Sequence, residues 1–264
     1  MLAIILKEAD DRLLGALSLQ KNKKFKVYLP EKDPVEADYE AQLVFKHGDW
    51  RLAEEPLTCI LEKGALPDKN FVGRVLMTAK MLKKADVFHV NLLGVKSFPC
   101  KVNQKKFFKL ALIKDAPIPL SSFVFRTAKL REKAVHYADG GIQVIPTVLG
   151  CLEGNPMRNV LCNKLLWQDP ETGPVTSEEK VMENIDVLRW TETYYGDDDY
   201  PLSVGDQLAM IARQIAKLYP AKTEEELKEL MATFQVAQGT VRKMRASSAL
   251  KNALKEKAQA LKLL

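Results

Sequence analysis

Apolar residues change their spacing part-way along this chain of 264 residues, and that change limits the folds open to it more than any other feature. Over the first third they come in short runs, LAIIL, LLGALSL, FKVYL, EAQLVF and LTCIL, separated by Lys/Asn, Pro/Asp and His47-Gly48-Asp49. Runs of that length between turn residues read as strands, and a tight turn at His47-Gly48-Asp49 between EAQLVFK and WRLAEE predicts an antiparallel meander. Asp68 to Lys84 has helical spacing, with Phe71, Val72, Val75, Leu76, Met81 and Leu82 on one side. Extended structure is expected again in DVFHVNLLGV and FFKLALIK, followed by a helix in TAKLREKAVHYA, the apolar run IQVIPTVLG and a turn at Glu153-Gly154-Asn155-Pro156. After the turn-rich Asp169-Pro170-Glu171-Thr172-Gly173-Pro174 the pattern is helical, with helices expected at 177–189, 203–218, 223–232, 237–246 and 249–262. The expected fold class is α+β: a mixed, β-rich N-terminal region, residues 1–172, followed by an all-helical C-terminal domain, residues 173–264.

Charge follows the same division. The chain has a formal net charge of +6, with 40 basic and 34 acidic residues. From Gly239 onward there are seven basic residues against the single acid Glu256, so this last stretch carries the whole excess. Such asymmetry points to a polyanionic partner. Cys59, Cys100, Cys151 and Cys162 are widely spaced with no C-x-x-C pair, which argues against a zinc site or a disulfide framework. The start, MLAIILKEADD, meets charge too early for a signal peptide or a membrane span, so a cytoplasmic protein with no membrane partner is expected.

The basic stretch begins inside TEEELKELMATFQVAQGTVRKMRA, residues 223–246. Thr223 and Glu226 form a capping box that starts a helix. Leu227, Leu230 and Met231 share one helical face, the period breaks between Thr233 and Val236, and it restarts with Val241 and Met244. Two short helices joined by a tight turn satisfy these positions. With Leu230, Phe234, Val236, Thr240-Val241 and Met244 in place, the segment resembles the helix-turn-helix of bacterial DNA-binding regulators, although Gln235 stands where the turn usually has glycine. Together with Met182-Glu183-Asn184-Ile185, Arg189 and Leu202-Ser203, the order over residues 182–246 resembles ParB/KorB-type partition proteins, without their G-E-R-R phosphate-binding signature. The resemblance implies duplex DNA binding by a homodimer, read by Gln238, Thr240, Arg242, Lys243 and Arg245, with Lys251 and Lys255 on phosphates.

Lys101, Lys105, Lys106, Phe108 and Lys109 interleave bases with aromatics and form a second candidate nucleic-acid contact. Inward phenylalanines with a solvated lysine face explain the same pattern and are preferred. Asp197-Asp198-Asp199 reads as a solvated turn or helix cap rather than a metal site, and His47, His89 and His136 as ordinary histidines. No phosphate-binding glycine loop, nucleophile elbow or metalloprotease helix is present, so no catalytic residue, metal or cofactor is expected. The sequence therefore suggests a non-enzymatic, sequence-specific DNA-binding regulator or partition-type protein, with plasmid partition and transcription regulation as its fields. The alternative is a structural nucleoprotein component of a mobile element, virus or RNA-guided complex that binds RNA or single strands. An enzyme whose site carries no motif is a third reading.

Overall fold

The computed structural model describes residues 1–8, 11–29, 39, 43–93, 99–108, 110–111, 119–136, 142–160 and 165–168. The chain divides into two compact units, residues 1–104 with 117–174 and residues 105–116 with 175–264, and nearly all the described residues belong to the first. The helices expected between 177 and 262, the helix-turn-helix among them, lie outside the described residues.

The first unit is built on a mixed sheet. Its strands are β1 (Leu2–Leu6), β2 (Phe25–Leu29), β3 (Phe45–His47), β4 (Leu57–Leu61), β6 (Val87–His89), β8 (Lys101–Val102), β9 (Phe123–Arg126) and β10 (Met157–Asn159). They lie in the order β3-β2-β1-β4-β9-β6-β10-β8. Strands β5 (Ala65–Pro67), β7 (Leu92–Leu93) and β11 (Leu166–Gln168) form a second, three-stranded sheet. The helices are α1 (Asp11–Ser18), α2 (Phe71–Met81), α3 (Gln104–Phe108), α4 (Thr127–Lys133) and α5 (Val144–Cys151).

An antiparallel meander is thus not what the described residues form, and the α+β expectation is corrected to an α/β arrangement around a mixed sheet. Strand β1 runs parallel to both β2 and β4, and β2 runs parallel to β3. Strand β9 is antiparallel to its neighbours β4 and β6 and separates parallel strands. The misreading has a physical cause. LLGALSL has strand length, yet Leu13, Leu14 and Leu17 are the buried residues of α1, a helical spacing that converts a supposed hairpin into a βαβ crossover. Strands β1 and β4 are buried at every position, as in a sheet covered on both faces, so neither alternates.

Packing on the sheet is apolar and continuous. Leu2, Ile4 and Leu6 of β1, Val27 of β2 and Leu57, Cys59 and Leu61 of β4 share one core with Leu13 and Leu17 of α1 and Phe71, Val72 and Val75 of α2. The buried Gln20 ties the two helices. Its Nε2 donates to the Asp68 carbonyl at 2.7 Å, and its Oε1 accepts the Val72 N–H at 3.1 Å, replacing the side-chain cap that Asn70 does not supply. At the other end of α2 the Arg126 guanidinium donates to the carbonyls of Ala79, Lys83 and Ala85 and stacks 5.6 Å from the Phe88 ring.

The expected turn at His47-Gly48-Asp49 exists, with Gly48 at φ 127°, but no strand follows it. Residues 48–56 instead return to β4, and Glu55 within them is buried. Its carboxylate bonds Lys26 at 2.8 Å and the Tyr28 hydroxyl at 2.7 Å. Burial pushes the Glu55 carboxyl up, but these two contacts and a backbone hydrogen bond outweigh it and hold it below the usual range. Thr127 at the start of α4 completes this floor, its hydroxyl 2.8 Å from that of Thr58 and bonded to the Glu55 carbonyl. The turn at Gly154, φ 83°, and the helix over 71–81 are as expected from the sequence.

Candidate functional site

Every parallel strand of the sheet ends on the same rim. The chain runs outward from β1 to β2 and β3, then returns to β4 on the other flank of β1, so strand order reverses between β1 and β4. In open α/β sheets a crevice outside the carboxyl ends at such a reversal is where ligands bind.

Two pairs of charges stand there. Lys7 and Glu8 follow β1, and Glu62 and Lys63 follow β4. Lys7 Nζ lies 2.9 Å from Glu62 Oε1, and Lys63 Nζ lies 2.7 Å from Glu8 Oε1. The short 3-10 turn Leu120–Ser122 fixes the glutamate from below: Glu62 Oε2 accepts the Leu120 N–H at 2.9 Å, and the Glu62 N–H donates to Ser121 Oγ at 2.8 Å. Gly64, at φ 79°, then turns the chain sharply into β5. Glu62 is 29% exposed at its side chain and Lys7 49%, so both remain in reach of solvent.

Further along the rim the groups are neutral, and two of them, His89 and Asn91, are buried. His89 ends β6, Asn91 follows it and Asn159 ends β10. Strand β6 is parallel to β10, and the Val160 N–H donates to the His89 carbonyl at 2.8 Å. Burial pushes the His89 imidazole down to about 4, against hydrogen bonding to the Asn91 and Asn159 side chains, which acts in the opposite sense. Its ring meets Phe123 edge-on at 5.6 Å. Asn91 Oδ1 is buried with no hydrogen-bond partner among the described residues. His89 is thus a buried rim residue, where the sequence suggested an ordinary histidine. Lys7, Glu8, Glu62, Lys63, Asn91 and Asn159 were not singled out at all, because they follow or end four separate strands whose parallel pairing the sequence does not announce.

No protein-family model and no curated protein sequence matches this chain. Solved structures do. The chain is similar to the crystal structure of S. aureus TarS 1-349 in complex with UDP-GlcNAc, at 11% identity, TM-score 0.58, covering 98% of this chain and 91% of that one. The same TarS fragment in complex with UDP matches at TM-score 0.53 and 11% identity, over 98% of this chain and 91% of that chain. A longer S. aureus TarS chain matches at 0.58 and 12% identity, over 99% of this chain and 53% of that one. The shared architecture is the GT-A fold of glycosyltransferases.

That fold corrects several expectations. A helix-turn-helix or ParB/KorB-like protein, a non-enzymatic DNA-binding regulator and a DNA partner are all overturned, because the described sheet shares the GT-A fold of these structures and not the fold of helix-turn-helix DNA-binding proteins. The proposed readers Gln238, Thr240, Arg242, Lys243, Arg245, Lys251 and Lys255 lie outside the described residues. The other candidate cluster spans a strand and the helix that follows it. Lys101 is on β8, while Lys105 and Lys106 are exposed on α3 with Phe107 and Phe108 buried, so the phenylalanines do turn inward, on a helix rather than a hairpin. Lys109 lies outside the described residues. Among the described residues no helix is long and apolar enough to cross a membrane.

Proposed function

We propose that this chain binds a nucleotide-activated sugar at the carboxyl-end rim of its sheet and transfers the glycosyl group to an acceptor hydroxyl. The observation that carries this reading is the reversal of strand order between β1 and β4, with two lysines and two glutamates at the reversal. It is supported by the likeness to TarS, which was crystallised with UDP-GlcNAc. Lys7 and Lys63 offset the diphosphate charge. Asn91, buried, and Asn159, half-buried, are neutral and offer hydrogen bonds to sugar hydroxyls, whose loss a polar site punishes strongly.

The chemistry is a displacement at the anomeric carbon. Its bond to the diphosphate oxygen breaks, the nucleoside diphosphate leaves with the electron pair, the acceptor oxygen bonds to that carbon, and the acceptor proton passes to a base. Glu8, half exposed and held by Lys63 through one oxygen, is the carboxylate at the rim available to receive it. A divalent cation on the diphosphate would need several oxygen ligands. Among the described residues no group of three or more His, Cys, Asp or Glu converges, and both Glu62 oxygens are already engaged. The described residues do not fit such an ion, and no step is routed through one.

Calorimetric titration with UDP and UDP-GlcNAc, together with detection of UDP release, tests the reading. Saturable binding that weakens in Lys7→Ala supports it. A chain that binds no nucleotide sugar and releases no nucleoside diphosphate is not a glycosyltransferase. The reading fits a cytoplasmic protein with residues 173–264 forming a domain of their own.

A further inference from the structure

At the opposite end of the same sheet, beside the amino-terminal ends of β6 and β10, lies a cleft of about 440 Å³ lined by Lys83, Lys84, Lys101, Arg158, Leu82 and Asn155. Four cations come from three separate parts of the chain: the segment after α2, strand β8 and strand β10. Among the described residues no carboxylate lines the cleft. Asp86 lies behind the cleft-lining Asn155, its Oδ2 accepting from Asn155 Nδ2 at 3.0 Å. None of the four cations forms an ion pair with another described residue.

Their arrangement works against the fold. Lys101 and Arg158 are register partners on the antiparallel strands β8 and β10. Side chains directly opposite on such a pair are near neighbours, and like charges there repel. The Lys83 and Lys84 ammonium groups, at the carboxyl end of α2, suit the helix dipole but add to the same field. A position that violates a local rule with no compensating internal contact marks a place where something else supplies the compensation. A multiply charged anion does so. The Arg158 guanidinium offers a planar fork that matches two phosphoryl oxygens, and the lysines add point charges around it.

We propose that this cleft is a binding site for a ligand carrying two or more linked phosphate groups, separate from the carboxyl-end rim. A single phosphate would leave most of the four charges unmatched, and Leu82 gives the cleft an apolar wall for an organic remainder.

Inorganic pyrophosphate is the probe, titrated calorimetrically into the full chain, with inorganic phosphate in parallel. Expected are saturable binding of pyrophosphate at least tenfold tighter than of phosphate, and a loss of tenfold or more in the Lys101→Gln, Arg158→Gln double variant. Lys46→Gln, on β3 at the other edge of the sheet, should leave it unchanged. Thermal melting gives a second reading: without ligand, Lys101→Gln should melt at or above the wild-type temperature because a repulsion is removed, and pyrophosphate should raise the melting of wild type but not of the double variant. No saturable binding, equal affinity for phosphate, or binding that the Lys101→Gln, Arg158→Gln double variant leaves intact would overturn the proposal.

Discussion

Lys7 and Glu62 close an ion pair of 2.9 Å between the carboxyl ends of β1 and β4, at the point where the strand order of the sheet reverses. Because both side chains are partly exposed, the pair contributes at most about 1 kcal/mol to stability. Its worth lies in position. Lys7→Ala should therefore leave the unfolding midpoint almost unchanged while weakening UDP binding by roughly tenfold, the equivalent of about 1.4 kcal/mol. Parallel denaturant melts and UDP titrations check both halves.

His89 links the rim to pH. Its folded value of about 4 lies below its ordinary 6.5, so the folded chain holds fewer protons than the unfolded one between these values. Stability contributed by the neutral imidazole is complete above 6.5 and declines as the pH falls towards 4, by on the order of 3 kcal/mol in total. Urea unfolding between pH 4 and 7 should show this slope, and His89→Asn should flatten it.

The Glu55 floor gives a test of the fold itself. Thr127→Val removes the hydroxyl bonded to the buried Glu55 carbonyl and to Thr58, leaving polar groups unmatched at a cost of about 1–3 kcal/mol. The measurement is the change in unfolding free energy by denaturant, with Thr127→Ser expected to restore most of it.

Thiol chemistry distinguishes exposed from buried sulfur. Cys100 is exposed, whereas Cys59 and Cys151 are buried and burial pushes both thiols up, that of Cys151 to about 12. Maleimide labelling followed by peptide mass analysis should modify Cys100 in the native chain and reach Cys59 and Cys151 only after unfolding.

What the sequence by itself determined is local. The apolar period from 71 to 81 specifies a helix, Gly154 specifies a turn, and the runs LAIIL, FKVYL and LTCIL specify strands, because each depends on residues a few positions apart. The site was not legible in the same way. Lys7 finds Glu62, and Lys101 finds Arg158, only once β1 lies beside β4 and β8 beside β10, with 55 and 57 positions between them in the chain. LLGALSL shows why: strand length favoured a hairpin, but burying Leu13, Leu14 and Leu17 together against the sheet selected a helix and made the neighbouring strands parallel. Tertiary burial outweighs a local pattern whenever a short apolar run fits both periods, and that choice alone sends the carboxyl ends of β1 and β4 to one rim and makes a site of them.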